Sequence, residues 1–418
     1  MEIFDFDYIN GGVSKYDTHH IHMFVDGEIA EPISTSTNVV MGKLIHEYVH
    51  YWQHISTLFG VKICTEFAKI GIAFVAYCRE KKDIELPIDL KYVDPRVSVF
   101  DNWLKKLKGD KYARCEVDYI EIYNRNIAQA RRDRTSVKIG AYDYKNNVAL
   151  DTAFHFGYIC VIETMAHIIQ NRINPKVEHD IVPYLSGIKV YEYITGRKIS
   201  SYQEENLLIT LCYGALQHDN PGVAFIEGAY VIMDENITDW NDLYDRIMSN
   251  MVTINGKKFS FKQALINFLS EYETYLQESI GAELVYYNKV LENIKIAIAN
   301  DRHIFLDMVF SCEISNPKLV KEKLFDYYGY PFIEDNKTYI FPTIIDSAAL
   351  RGLEILMTRF QYRRPDTTCP WYKVCSKKKG VPIVTIECRE NQWDKTEKCL
   401  FTEALRYFRL SEKKIIQI

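Results

Sequence analysis

Apolar positions along the chain change their spacing several times, and each change marks a boundary. In the first 35 residues aromatic and polar side chains intermingle, with Gly11-Gly12 and Asp26-Gly27 as turn signals, which predicts short strands or a hairpin. Beyond Pro32 the spacing turns helical. Residues 34–38 (Ser-Thr-Ser-Thr-Asn) offer several capping side chains and no proline interrupts Val39 to Lys81, so one long helix or two in tandem are expected. The chain should loop between Pro87 and Pro95, then alternate as two short strands, Tyr119 to Tyr123 and Ser136 to Tyr144, plausible partners in a hairpin. An apolar helical run is expected from a cap at Asn147 to Gln170, and Glu204 to Asn300 reads as mostly helical with a break at Asn220-Pro221-Gly222. Residues 301–365 read as helix alternating with a short hairpin near Tyr330 to Phe341. These spacings divide the chain into an N-terminal β segment (1–35), a core (36–300), a helical and hairpin extension (301–365) and a cysteine-rich end (366–418). The expected class is α+β, predominantly helical, with a small sheet.

The sharpest chemical signal lies inside the first helical run, where His46-Glu47-Tyr48-Val49-His50 spells HExxH. On a helix, positions i and i+4 share a face, so both imidazoles can reach one metal while Glu47 projects beside them. Zinc so held acidifies a water, the carboxylate takes its proton and later delivers it to a leaving amine, and the metal polarises the scissile carbonyl. Leu44, Ile45, Tyr48, Val49, Tyr51, Trp52, Ile55, Leu58 and Phe59 surround the motif on nearly every side, so the helix should be buried. Buried polar groups without a partner are costly, which favours a metal over a bare cluster.

With this motif the chain resembles the zincin-type metallopeptidases. The metzincin branch needs a glycine and a third histidine further along, where Gln53 and Ser56 stand, so that branch is excluded. The HExxHxxQ form is similar to gluzincin-like proteins, and that resemblance implies a zincin-like catalytic core whose third zinc ligand is a glutamate on a later helix. Two lone acids in apolar runs qualify. Glu163 is the only acid between Asp151 and Glu178, and its Glu-x-x-Ala setting resembles some gluzincin-like third-ligand helices; Glu227, in Val223 to Met233, is the competitor. His167 departs from the acid found at that offset in several such families and is a candidate to orient a ligand. His54, a full turn past His50, is awkwardly placed for ligation and is read as lining the cleft. Donors to a developing oxyanion are sought in Tyr184 and in His155, read as two turns before Glu163. The strands at 119–123 and 136–144 could offer an edge to an extended peptide, an expectation from fold analogy.

The last segment differs in kind, because Cys369, Cys375, Cys388 and Cys399 crowd into it. Four thiolates can close a tetrahedral site, so a structural zinc or an iron–sulfur cluster is expected, with unligated thiols as the alternative; the spacing is not a C-x-x-C knuckle. Cys64, Cys78, Cys115, Cys160, Cys212 and Cys312 read mostly as core residues. In His19-His20-Ile21-His22, alternation would place His20 and His22 on one strand face, a possible ligand geometry, though a polar strand face is the simpler reading. Lys377 to Lys379 with Arg363 and Arg364 read as a solvated basic face.

Composition narrows the function. The 51 basic and 56 acidic side chains leave a net charge of -5, with no basic excess to grip a phosphate backbone, so nucleic acid is not an expected partner. No apolar run reaches the length of a membrane span, and scattered cysteines behind a start without a cationic, apolar leader point to the reducing cytoplasm. The expectation is a cytoplasmic zinc peptidase acting on a protein or peptide, restrained by narrow specificity, a regulatory partner or an activating signal. Its rivals are a catalytically silent, metal-stabilised interaction module and a di-iron carboxylate oxidoreductase, which would need a second Glu-x-x-His pair that the sequence lacks.

Overall fold

The computed structural model describes residues 14–417 except 112–116, 144–147, 255, 282, 301–303, 338, 341, 362–368, 370, 371, 373, 374, 376–383 and 397. Gly11, Gly12, Cys115, Asn147, Arg363, Arg364 and Lys377 to Lys379 therefore lie outside the described residues. Helices of eight residues or more are labelled α and strands β in chain order.

The N-terminal pattern forms a hairpin, β1 (Lys15–Asp17) and β2 (His22–Val25), paired antiparallel. The first long apolar run becomes two tandem helices, α1 (Asn38–Ser56) and α2 (Leu58–Glu80). Thr57 separates them by adopting an extended backbone, while its hydroxyl donates to the Gln53 carbonyl at 2.7 Å and accepts from the Gly60 N–H at 3.1 Å. Gly60 is obligatory there, since a Cβ would sit 2.4 Å from the Gln53 carbonyl oxygen. The chain continues through β3 (Asp83–Leu86), α3 (Arg96–Lys108), β4 (Tyr119–Glu121), α4 (Asn124–Asp133), β5 (Val137–Asp143) and β6 (Val148–Phe156). A short helix, Leu90–Val93, occupies part of the expected loop.

Two expectations are corrected here. β4 and β5 do pair antiparallel, but α4 separates them, so they form no tight hairpin. The run expected as one helix from Asn147 to Gln170 is a strand followed by a helix, α5 (Tyr158–Asn171). β6 pairs with β5 from Val148 to Phe156, and a ladder partner overrides an ambiguous apolar run. Gly157 makes the switch; an added Cβ would meet the Leu107 carbonyl at 2.2 Å.

Next come α6 (Ser186–Thr195), α7 (Tyr202–Ala215), α8 (Pro221–Asp234) and α9 (Trp240–Ser249). A hairpin not anticipated in the helical region, β7 (Met251–Ile254) and β8 (Lys257–Ser260), precedes α10 (Phe261–Ile280) and α11 (Val285–Ala299). β9 (Phe332–Asp335) and β10 (Tyr339–Ile340) form the expected later hairpin, followed by α12 (Ile344–Gln361), α13 (Leu400–Tyr407) and β11 (Lys414–Gln417). The class is α+β and predominantly helical, with small separate sheets.

Long-range pairing ties the segments together. β2 runs parallel to β9, giving the order β1-β2-β9-β10, and β11 runs parallel to β3. Buried apolar side chains from Tyr16 to Ile415 join one cluster, so the four segments share a core. α1 sits at its middle, packed on α2, α5, β1 and β2, with Tyr48, Tyr51 and Trp52 fully enclosed.

Candidate metal centre

The HExxH segment lies two turns into α1, as its apolar surroundings require, and His46, Glu47 and His50 are all buried. α5 crosses α1 and brings Glu163 to the two imidazoles. Glu163 Oε2 lies 3.1 Å from His46 Nε2 and 3.4 Å from His50 Nε2. One ligand atom from each of the three lies within 4.8 Å of the others. Glu227 is elsewhere: its carboxylate is partly exposed on α8 and accepts from Arg131 Nε at 2.9 Å. Of the two candidate acids, the structure brings Glu163, and not Glu227, to the two imidazoles.

The far nitrogens explain the orientation. His46 Nδ1 donates to Gln170 Oε1 at 2.8 Å and His50 Nδ1 donates to Gln53 Oε1 at 3.0 Å. Gln53 is itself held, because its amide donates to the Ile162 carbonyl at 3.2 Å. Protons on both Nδ1 atoms leave both Nε2 atoms aimed at Glu163. A lone pair facing a carboxylate repels it, so the arrangement requires positive charge in the centre, as added protons or as a cation. Without a metal that charge falls on the His50 ring. Burial alone would lower the His50 imidazole, but the Glu163 carboxylate outweighs it and pushes it up to about 9, while Glu163, despite burial, is held far below the usual carboxylate range by His50 and His46. Two neutral imidazoles and one carboxylate are the N, N, O set of a catalytic zinc site with an open position, so the residues fit that ion.

Glu47 stands beside the trio and accepts a hydrogen bond from the Tyr16 N–H of β1; burial raises its carboxyl despite His46 and His50 nearby. A carboxyl raised in this way is a better proton acceptor than an exposed one. Tyr184 and His179 stand beside His46. The Tyr184 ring is 6.0 Å from His46 and 4.2 Å from His179, which is 5.8 Å from His46. Burial and the neighbouring His46 hold the His179 imidazole below its ordinary range.

Other expectations are corrected. His155 is exposed on β6, 3.4 Å from the Ser136 hydroxyl, and no described contact brings it to the trio. It was read on a helix, and its strand turns it away. His167 is bonded to Asn171 at 2.9 Å, and Gln170 is the α5 residue that orients His46. Gln170 follows Glu163 by seven positions, two helical turns on one face, and that spacing was the available signal. His54 donates to the His50 carbonyl at 2.7 Å and approaches Thr18 Oγ1 at 3.2 Å, outside the trio. Strand β1, rather than β4 or β5, is the sheet edge in contact with Glu47.

The four late cysteines come near one another without forming one tight set. The Cys369 N–H donates to the Cys388 carbonyl at 2.7 Å, and Cys388 and Cys399 push the Cys375 thiol, already raised by burial, up to about 11. Lys395 Nζ lies 3.2 Å from Cys388 Sγ. Among the described residues, no three of these sulfurs share a 4.8 Å neighbourhood, as ligands of one ion would. No helix of the described residues is long and apolar enough to cross a membrane.

No protein-family model, curated protein or solved structure matches the chain.

Proposed function

We propose that this chain is a zinc-dependent peptidase in which His46, His50 and Glu163 hold the ion and Glu47 is the general base. One observation carries the reading: two imidazole Nε2 atoms and a carboxylate oxygen converge at 3.1 and 3.4 Å while both Nδ1 atoms donate to amide oxygens. A zinc ion there supplies Lewis acidity, acidifying a water and polarising a carbonyl. Glu47, raised by burial, takes a proton from the attacking water and returns it to the leaving amine. Tyr184 and His179, whose rings lie beside His46, are candidates to donate to a developing oxyanion. Among the described residues β1 is the terminal strand of its sheet, and an extended peptide can add to its outer side next to Glu47. Unbridged cysteines among the described residues support a reducing, cytoplasmic setting, where such a peptidase needs narrow specificity or a regulatory partner.

The test compares zinc content and hydrolysis of a peptide mixture in wild type, Glu163→Gln and Glu227→Gln. Loss of both zinc and hydrolysis in Glu163→Gln, with Glu227→Gln unchanged, is the expected result. Full zinc and full hydrolysis in Glu163→Gln would contradict the ligand assignment. Zinc that depends on His50 and Glu163, in a chain that cleaves nothing, would instead favour a silent interaction module.

A further inference from the structure

The turn between β1 and β2 carries a second group of titratable side chains that the peptidase reading does not use. An oxygen of Asp17, a ring nitrogen of His20 and an oxygen of Glu354, on α12, all lie within 4.8 Å of one another. His20 Nδ1 is 3.3 Å from Asp17 Oδ2. Ligand atoms sharing a tetrahedral zinc are separated by about 3.4 Å, and the pairs at His46, His50 and Glu163 have the same spacing. The group is enclosed: Glu354 is 0% exposed and His20 is 1% exposed.

Neighbouring polar contacts hold the group in place. Arg351 Nη1 donates to Glu354 and lies 2.7 Å from His22 Nδ1, which is also 3.3 Å from Glu354 Oε1. His22 Nε2 is 3.5 Å from Glu334, and His19 Nε2 is 3.1 Å from Met357 Sδ. Two carboxylates, Asp17 and Glu354, thus approach one imidazole nitrogen of His20 in an enclosed place, and a divalent ion among the three offsets both negative charges. The backbone is bent to make the approach, since Ile21, a β-branched residue, is held at φ 52 between His20 and His22. That bend places His20 in the turn over Asp17 rather than on a strand face with His22, as alternation had suggested.

We propose that Asp17, His20 and Glu354 form a second site for a divalent transition-metal cation. Carboxylate and imidazole donors together suit zinc, iron or manganese. Bound there, the ion fastens the β1–β2 turn to α12 and thereby holds in register the strand whose Tyr16 N–H donates to Glu47. The site stands independently of the peptidase reading, because its ligands are separate from His46, His50 and Glu163.

Zinc alone is the probe. Crystals of the His50→Ala protein grown with zinc as the sole metal should show an anomalous peak, at the zinc edge, within about 2.2 Å of Asp17, His20 and Glu354 ligand atoms. Absence of that peak, in crystals of matched wild type that do show one at His46, His50 and Glu163, would overturn the site. In solution, Asp17→Asn/His20→Ala should bind one zinc fewer than wild type, additively with the zinc lost in His50→Ala. A folded double variant with the full wild-type count would also overturn it. If the double variant does not fold, the diffraction experiment decides, since it leaves Asp17, His20 and Glu354 intact. A peak at Asp17 with none at His46 in wild type would count against the peptidase reading only.

Discussion

The proton that His50 carries on Nδ1 is set by Gln53, and the one on His46 by Gln170, so two neutral amides decide where both Nε2 lone pairs point. Outer partners of this kind typically change metal affinity by about 10- to 100-fold. Gln170→Leu should weaken zinc binding by that amount while HExxH is intact, measured by competition with a chromophoric chelator; unchanged affinity would mean that His46 is oriented by packing alone. His54, one turn further along α1, gives a pH test. Burial, against the His50 carbonyl that partly offsets it, lowers its imidazole to about 4, and a cation at His50 pushes in the same direction. The unfolded chain has this group near its ordinary value of 6.5, so between those values the unfolded state binds the extra proton and stability rises with pH. The contribution is present above about 6.5 and is lost as pH falls toward 4, about 3 kcal/mol for the full window. Urea midpoints at pH 7 and pH 5 should show this loss in wild type and a smaller one in His54→Asn.

α1 is useful to the site because it stops where it does. Thr57 ends it and Gly60 lets α2 begin against its last turn, beside the Gln53 carbonyl and the His54 backbone. Gly60→Ala should force that junction apart, destabilising the chain by about 1–3 kcal/mol and weakening zinc binding through Gln53. Urea unfolding and chelator competition measure the two effects; a variant as stable as wild type would show that the junction yields freely. The same scale shows what could be read in advance. HExxH, its buried helix and the lone acid Glu163 were legible because a 3.6-residue period and an isolated charge in apolar text are local signals. β6 was not, because residues 148–156 become a strand through pairing with β5, and the error carried His155 to the wrong element. Glu163 was preferred to Glu227 on its solitary setting and Glu-x-x-Ala form, but the partner that holds Glu227 elsewhere, Arg131, lies 96 residues away along the chain and left no local signal.

At the scale of the whole molecule, β2 beside β9 and β3 beside β11 join regions that the sequence spacing had divided, and α1 with His46 and His50 lies in the shared core. An ion bound only by the folded chain stabilises all of it, by about 4 kcal/mol when free zinc exceeds Kd roughly 1,000-fold. Chelation should therefore lower the thermal midpoint of wild type markedly and that of His50→Ala less; equal shifts would place the stabilising ion elsewhere. The central claim, hydrolysis by a zinc centre with Glu47 as its base, is tested most directly by mass-spectrometric detection of cleavage in a degenerate peptide mixture, comparing zinc-loaded wild type with zinc-loaded Glu47→Gln. The expected result is defined fragments from wild type and a rate at least about 100-fold lower for Glu47→Gln at equal zinc occupancy. Equal cleavage by the two proteins, or none by either at full occupancy, would contradict it.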